Sequence, residues 1–217
     1  MKLETERKAV VEYGRKMLES GLTTGTGGNV SIFNRNAGLT AITPSSVEYT
    51  KLEPENVPVV NPDGKIVEGT MKPSSETGFH LALYAARPDI TAVVHTHSPY
   101  AATFACLRRE IPAVHYLVGF AGKQVPVAPY ATYGSEELAS HIVSSIGHCN
   151  AVLLANHGLV SVGSTPGRAF NTAEEIELVA RICFQAECIG TPAVLADDEM
   201  ERVIEKFKTY GQASDEG

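Results

Sequence analysis

The chain has no tryptophan and only four cysteines, at positions 106, 149, 183 and 188. No two of them make a Cys-x-x-Cys pair and nothing indicates a secretory context, so free thiols in a reduced compartment are expected and a thiolate zinc site is excluded. No run of about 18 apolar residues occurs, so no helical membrane span is expected. The first residues, Met1-Lys2-Leu3-Glu4-Thr5-Glu6-Arg7-Lys8, are too polar for the apolar centre of a signal peptide, and a cytoplasmic address is the expectation. Internal repeats, low-complexity stretches and Pro/Gly/Ser linkers are also missing. A single domain over residues 1–217 is therefore expected, with Gln212–Gly217 as a polar tail.

What remains is ordinary soluble material. Apolar residues make up 43% of 217 and charged residues 20%, enough to fill a sizeable core without the signature of disorder. The 18 basic and 25 acidic residues give a net charge of −7, which argues against non-specific binding to nucleic acid. An anionic small molecule stays possible, because a few local donors hold a phosphate whatever the overall charge.

Periodicity places a first helix over Glu4–Ser20, with Val10, Gly14, Met17 and Leu18 on one face and Gly21 ending it. Short strands follow at Val30–Phe33 and Leu39–Ile42, and a hairpin joins Val57–Val60 to Lys65–Val67 around Asn61-Pro62-Asp63-Gly64. A helix runs from Ser74-Ser75-Glu76 to Ala86. An apolar strand, Thr91–Val94, then ends in His95-Thr96-His97, and a helix begins at Ser98-Pro99. Further strands are predicted at Val125–Ala128, Ala151–Leu154 and Leu159–Val162, with a helix over Glu136–Ile146. A long helix has Thr165 as N-cap, Pro166 at its first position and Gly190 as terminator, and a last one spans Asp198–Tyr210. Hairpins mixed among irregularly alternating strands and helices point to an α/β domain. Its sheet is mixed or antiparallel, with helices on both faces.

Five segments carry residues suited to chemistry. In a strand, side chains at i and i+2 share a face, so His95 and His97 can reach one ion. His157, in Asn156-His157-Gly158, likewise follows an apolar strand, and three neutral imidazoles from two strand ends make a set that leaves zinc an open position. Taken alone, His-x-His is more often a pair of surface or core histidines than a metal site. Glu76 in Pro73-Ser74-Ser75-Glu76 suits the positive end of a helix. The same terminus, with two hydroxyls and free amides, suits a phosphate with Glu76 beside it as a base. Gly25-Thr26-Gly27-Gly28-Asn29 offers either an anion nest or an ordinary turn, and Thr43-Pro44-Ser45-Ser46 is equally ambiguous. His80, His115, His141 and His148 have no paired spacing and are read as structural.

Taken in order, these segments resemble the class II aldolase and adducin-head superfamily over nearly the whole chain. The resemblance runs through Gly25-Thr26-Gly27-Gly28-Asn29-Val30-Ser31, Pro73-Ser74-Ser75-Glu76, Val93-Val94-His95-Thr96-His97, Ile111-Pro112-Ala113-Val114-His115-Tyr116, Ala128-Pro129-Tyr130, Asn156-His157-Gly158-Leu159 and Glu205-Lys206-Phe207-Lys208-Thr209-Tyr210-Gly211. It is strongest to the L-fuculose-1-phosphate aldolases. It implies a central, mostly antiparallel sheet between helical layers, and one Zn2+ per subunit on His95, His97 and His157. Glu76 would be a fourth ligand that leaves when substrate arrives and then serves as the catalytic base. Gly28, Asn29, Ser45, Ser46, Ser74 and Ser75 match phosphate-holding positions. Tyr116 matches a catalytic tyrosine reaching into a neighbour's site in a homotetramer, and Tyr133, Phe207 and Tyr210 match the wall around the aldehyde.

The implied reaction is cleavage of a phosphorylated sugar, L-fuculose 1-phosphate, to dihydroxyacetone phosphate and L-lactaldehyde. The chain departs from these aldolases at two positions: Tyr133 stands in Ala131-Thr132-Tyr133-Gly134 where they have Phe, in the wall around the aldehyde, and Asn156 stands where a histidine is common. Another deoxyketose 1-phosphate is therefore an open alternative. Other readings on the same scaffold are L-ribulose-5-phosphate 4-epimerase, which carries Asp at the position of Glu76, methylthioribulose-1-phosphate dehydratase, and an adducin-head interaction module without the metal site.

Overall fold

A computed structural model describes residues 1–207. In chain order it contains α1 (Glu4–Glu19), β1 (Asn29–Asn34), β2 (Leu39–Ile42), β3 (Val59–Val60), β4 (Ile66–Glu68), α2 (Thr77–Ala86), β5 (Ala92–Thr96) and α3 (Pro99–Leu107). It continues with β6 (Val127–Ala128), α4 (Glu136–Ile146), β7 (Ala151–Leu154), β8 (Gly158–Gly163), α5 (Pro166–Ile189) and α6 (Asp197–Phe207). The strands form one sheet in the order β4-β3-β2-β1-β5-β8-β7-β6. Every pairing is antiparallel except β6 with β7 at one edge.

Helices cover both faces of this sheet, as the sequence led us to expect, and the alternation along β5 shows why. Ala92 and Val94 point into a core shared with Val10, Met17, Phe104, Ile176 and Val179 of α1, α3 and α5. Val93 points to the opposite core, with Phe79 and Leu83 of α2 and Leu138 and Ile142 of α4. A strand covered on both faces reads as a continuous apolar run, which is what Ala92–Val94 shows. By the same alternation His95 lies on the α2 side, with its ring edge-on to Phe79 at 5.7 Å between centroids. No described helix is long and apolar enough to cross a membrane.

Local chemistry sets most boundaries. Thr165 caps α5 by accepting a hydrogen bond from the Arg168 N–H at 3.2 Å, and Pro166 occupies the first turn, as expected from sequence. Several boundaries shift by a residue or two, and two of the shifts have a plain local cause. The second helix begins at Thr77, because Ser74 folds into a turn: its Oγ accepts from the Glu76 N–H at 3.2 Å and its carbonyl from the Thr77 N–H at 3.1 Å. Glu76 thus sits at the N-cap position, and neither Ser74 nor Ser75 caps the helix. The strand expected over Val125–Ala128 shrinks to Val127–Ala128, since Pro126 has no N–H for a ladder and Val125 instead bridges to Ile111. The last helix is described to Phe207, so Tyr210 and the 212–217 tail lie outside the described residues.

Candidate active site

Two antiparallel pairings at the middle of the sheet assemble the site. The β1–β5 register sets Asn29 opposite His95, and the β5–β8 register sets His95 opposite Val160 and Thr96 opposite Leu159. His97 follows the end of β5, and His157 lies in the tight turn from β7 to β8. That turn needs Asn156 at φ 56°, a left-handed conformation that asparagine tolerates, with its Oδ1 accepting from Arg108 Nε at 3.0 Å. Glycine at 158 is also required: a Cβ there would collide with the Thr96 carbonyl. The same holds at Gly28, where φ is 67° and a Cβ would stand 2.5 Å from the His95 carbonyl oxygen. Tyr49 donates its hydroxyl proton to the Gly28 carbonyl at 2.8 Å and holds the loop there.

The three histidines converge as their spacing suggested. One ring nitrogen from each of His95, His97 and His157 lies within 4.8 Å of the others. His95 is fully buried and donates Nδ1–H to the Leu159 carbonyl at 2.9 Å, so its Nε2 turns a lone pair toward the cluster. That Nε2 stands 3.1 Å from Nε2 of His97. Burial, and then the neighbouring His97, push the His95 pKa down to about 3. Burial, with His95 next, pushes His157 down to about 4. Burial also lowers His97, against the opposing pull of Glu76. The imidazoles are therefore neutral at physiological pH, the form that ligates a metal.

Glu76 closes the group. Its carboxylate turns away from its own helix, with Oε2 3.4 Å from His95 Nε2 and Oε1 3.5 Å from His157 Nε2. Asn29 Nδ2 donates to Oε2 at 2.8 Å, whereas Oε1 is buried without a hydrogen-bond partner among the described residues. Converging lone pairs and an unpartnered carboxylate oxygen fit a divalent cation and fit little else. Helix capping does not account for this geometry.

A cleft of about 360 Å³ opens beside the cluster. Gly28, Asn29, Ser45, Ser46, Ser74, Ser75, Glu76, His97, Tyr133 and His157 all line it. Among the described residues its lining contains no lysine or arginine; hydroxyls and the amides at the start of α2 are the groups there that can meet an anion. Tyr116 and Phe207 lie elsewhere: their rings are 6.1 Å apart, Phe207 stacks on Phe120 at 4.6 Å, and Tyr116 is 49% exposed. Thr26 and Tyr130, to which the sequence assigns no role, also line the cleft, as does Asn156. His80, structural by its sequence context, is fully buried and bonded to Asn29 behind the site. Its signal was available, since it stands one helical turn after Glu76.

The class II aldolase and adducin N-terminal domain family matches residues 8–184. The 5-deoxy-D-ribulose 1-phosphate aldolase of Bacillus thuringiensis serovar kurstaki is 52% identical over 98% of this chain and 100% of its own. The L-fuculose phosphate aldolase of Escherichia coli K12 is 39% identical over 94% of each chain. A solved L-fuculose 1-phosphate aldolase superposes with a TM-score of 0.92 at 45% identity, over 94% of this chain and 96% of that one. The chain therefore belongs to the class II aldolase and adducin N-terminal domain family, within its aldolase branch.

Proposed function

We propose that the protein is a metal-dependent lyase that cleaves a deoxyketose 1-phosphate between C3 and C4, releasing dihydroxyacetone phosphate and a short aldehyde. The observation that carries this reading is the convergence of three neutral imidazoles and the unpartnered Glu76 oxygen at the edge of a hydroxyl-lined cleft. His95, His97 and His157 would hold the ion, with Glu76 as the further ligand, and an all-nitrogen histidine set with an open position favours Zn2+, one per chain. When bound, the ion supplies Lewis-acid polarisation of the ketose carbonyl and charge stabilisation of the enediolate.

The remaining work falls to the chain's own side chains. Ser45, Ser46, Ser74, Ser75 and the loop at Gly28-Asn29 would bind the phosphate and so place C3 beside Glu76. The hydroxyl at C4 would pass its proton to solvent by way of Tyr116, the C3–C4 electron pair would pass to C3, and C4 would leave as the aldehyde carbonyl. Glu76, having taken up a proton from solvent, would then deliver it to C3 to give dihydroxyacetone phosphate, general-acid work that requires a carboxyl group within reach of that carbon. One proton is thus released and one taken up. Tyr116, exposed and remote from the cluster of its own chain, would serve the C4 oxygen in a neighbouring subunit of a homotetramer.

The preferred substrate is 5-deoxyribulose 1-phosphate, which yields acetaldehyde, ahead of L-fuculose 1-phosphate, which yields L-lactaldehyde. Two observations support this order: the 52% identity to an enzyme named for the former, and Tyr133 at the cleft where L-fuculose-1-phosphate aldolases carry Phe. The test is to compare kcat/KM for the two ketoses by dihydroxyacetone phosphate release. A preference for 5-deoxyribulose 1-phosphate is expected; a preference for L-fuculose 1-phosphate would reverse the assignment.

A further inference from the structure

A line of buried polar groups runs behind the site. Asn29 and His80 are joined by a hydrogen bond between Oδ1 and Nε2. His80 Nδ1 lies 2.7 Å from Ser31 Oγ, and the Tyr84 hydroxyl lies 2.7 Å from that same Oγ and 2.9 Å from the Ser31 carbonyl. At the other end Asn29 Nδ2 reaches Glu76 Oε2. Asn29, Ser31, His80, Tyr84 and Glu76 are all buried, and Ser31 and His80, fully so, have no solvent as an alternative partner.

We infer that His80 is a positioning residue which, acting through Asn29, holds one oxygen of Glu76 and leaves the other free to handle the substrate's proton; this rests on the aldolase reading above.

Asn29 settles the direction of the whole line: its NH2 meets Oε2 of Glu76, which leaves its carbonyl for His80. His80 Nε2 must then carry the proton. In a neutral ring Nδ1 is left as an acceptor, and the Ser31 hydroxyl donates to it. Burial holds the His80 ring neutral, which agrees with this tautomer. The proton of Tyr84 closes the line on Ser31. Each donor thus points toward Glu76, and a flipped Asn29 amide would set its carbonyl against the carboxylate. The ring of His80 also stacks on Phe79 at 4.5 Å, which keeps it from turning. With Oε2 occupied in this way, Oε1 is the oxygen that faces the cleft side of the cluster beside His157.

The experiment uses the full-length protein at neutral pH. Ring 15N spectra of His80 should show a protonated Nε2 and a bare Nδ1; an Nδ1–H tautomer or an imidazolium would overturn the relay. His80→Phe keeps the stacked ring and removes both hydrogen bonds. It should keep wild-type metal content and phosphoglycolate affinity, yet exchange the carbon-bound hydrogen of dihydroxyacetone phosphate with deuterated solvent about 10- to 100-fold more slowly. His80→Gln, which can donate to Asn29 and accept from Ser31, should recover most of that rate. In a Glu76→Gln background His80→Phe should cause little further loss, because both changes act on one group. Additive losses, or a His80→Gln no better than His80→Phe, would contradict positioning through Glu76. A wild-type protein inert in exchange would count against the aldolase reading itself, and the His80 tautomer would still decide the relay.

Discussion

Glu76 Oε1 stands 3.5 Å from Nε2 of His157, at the edge of the cleft and without a hydrogen-bond donor among the described residues. A carboxylate serving only its helix would turn toward free backbone amides, as α2 invites at its N-terminus. Here the backbone amide of Glu76 is met by Ser74 Oγ, and the carboxylate is left to the histidines.

Replacing Glu76 by Gln separates these roles. The amide keeps the shape but accepts no proton, and general acid–base catalysis is worth about 10²–10⁴-fold. The variant should fold, retain its metal, and lose that factor in deuterium exchange of dihydroxyacetone phosphate. Wild-type exchange in a folded, metal-loaded variant would return Glu76 to a merely structural role, with a stability effect of about 0.3–1 kcal/mol.

Ser75 is exposed at the cleft, just ahead of the start of α2. Ser75→Asp sets a negative charge where the phosphate is to lie and removes one hydrogen bond. Charge-assisted hydrogen bonds are worth about 1.5–3 kcal/mol, so the ketose phosphate should bind roughly 10- to 150-fold more weakly, before repulsion is added. Unphosphorylated ketoses should be poor substrates of the wild type. Equal turnover with and without the phosphate would show that the hydroxyl-lined cleft serves another purpose.

Acid stability follows from the histidines. His80 and His95 are fully buried with lowered pKa values, His95 to about 3, while the unfolded chain protonates its histidines near pH 6.5. Below that pH the unfolded state binds more protons than the folded state, so stability falls as pH falls. Each of the two residues contributes up to about 1.4 kcal/mol per pH unit in this window. Urea unfolding in chelator at pH 7.5, 6.5 and 5.5 should show little change over the first step and a clear loss over the second. Constant or rising stability between pH 6.5 and 5.5 would mean these rings accept protons in the folded state.

Tyr116 should act between subunits. Tyr116→Phe and Glu76→Gln are each expected to be weakly active, but subunits of the two variants mixed by mild unfolding and refolding should recover part of the wild-type rate. Hybrids place an intact Tyr116 over an intact Glu76. A fully active monomer by light scattering, or no recovery in mixed tetramers, would show that Tyr116 has no role in trans.

Much of this was legible in the residues. The β7 strand Ala151–Leu154 was bounded correctly because both of its faces are buried and its ends are marked by Asn150 and Asn156. His95 and His97 were paired by the period of a strand, and Thr165-Pro166 marked the start of α5. Sequence spacing does not encode register, however. The pairing of Asn29 with His95 brings the first glycine loop to the histidines across more than sixty residues. His80 was passed over for a related reason: a lone histidine on an apolar helix looks structural until Asn29 is seen across from it. The sequence places a strand at Val125–Ala128 but not its parallel pairing with β7, because that pairing is set by where Val127 and Ala128 lie beside Leu153 and Leu154 and not by a pattern of their own.

The central claim is that a metal held by His95, His97 and His157 is needed for cleavage. The most direct measurement strips the protein with chelator, returns Zn2+ stepwise, and follows release of dihydroxyacetone phosphate from 5-deoxyribulose 1-phosphate. Activity should rise from near zero and level off at about one ion per chain, as expected for one open histidine site. Full activity in exhaustively demetallated protein would contradict the account.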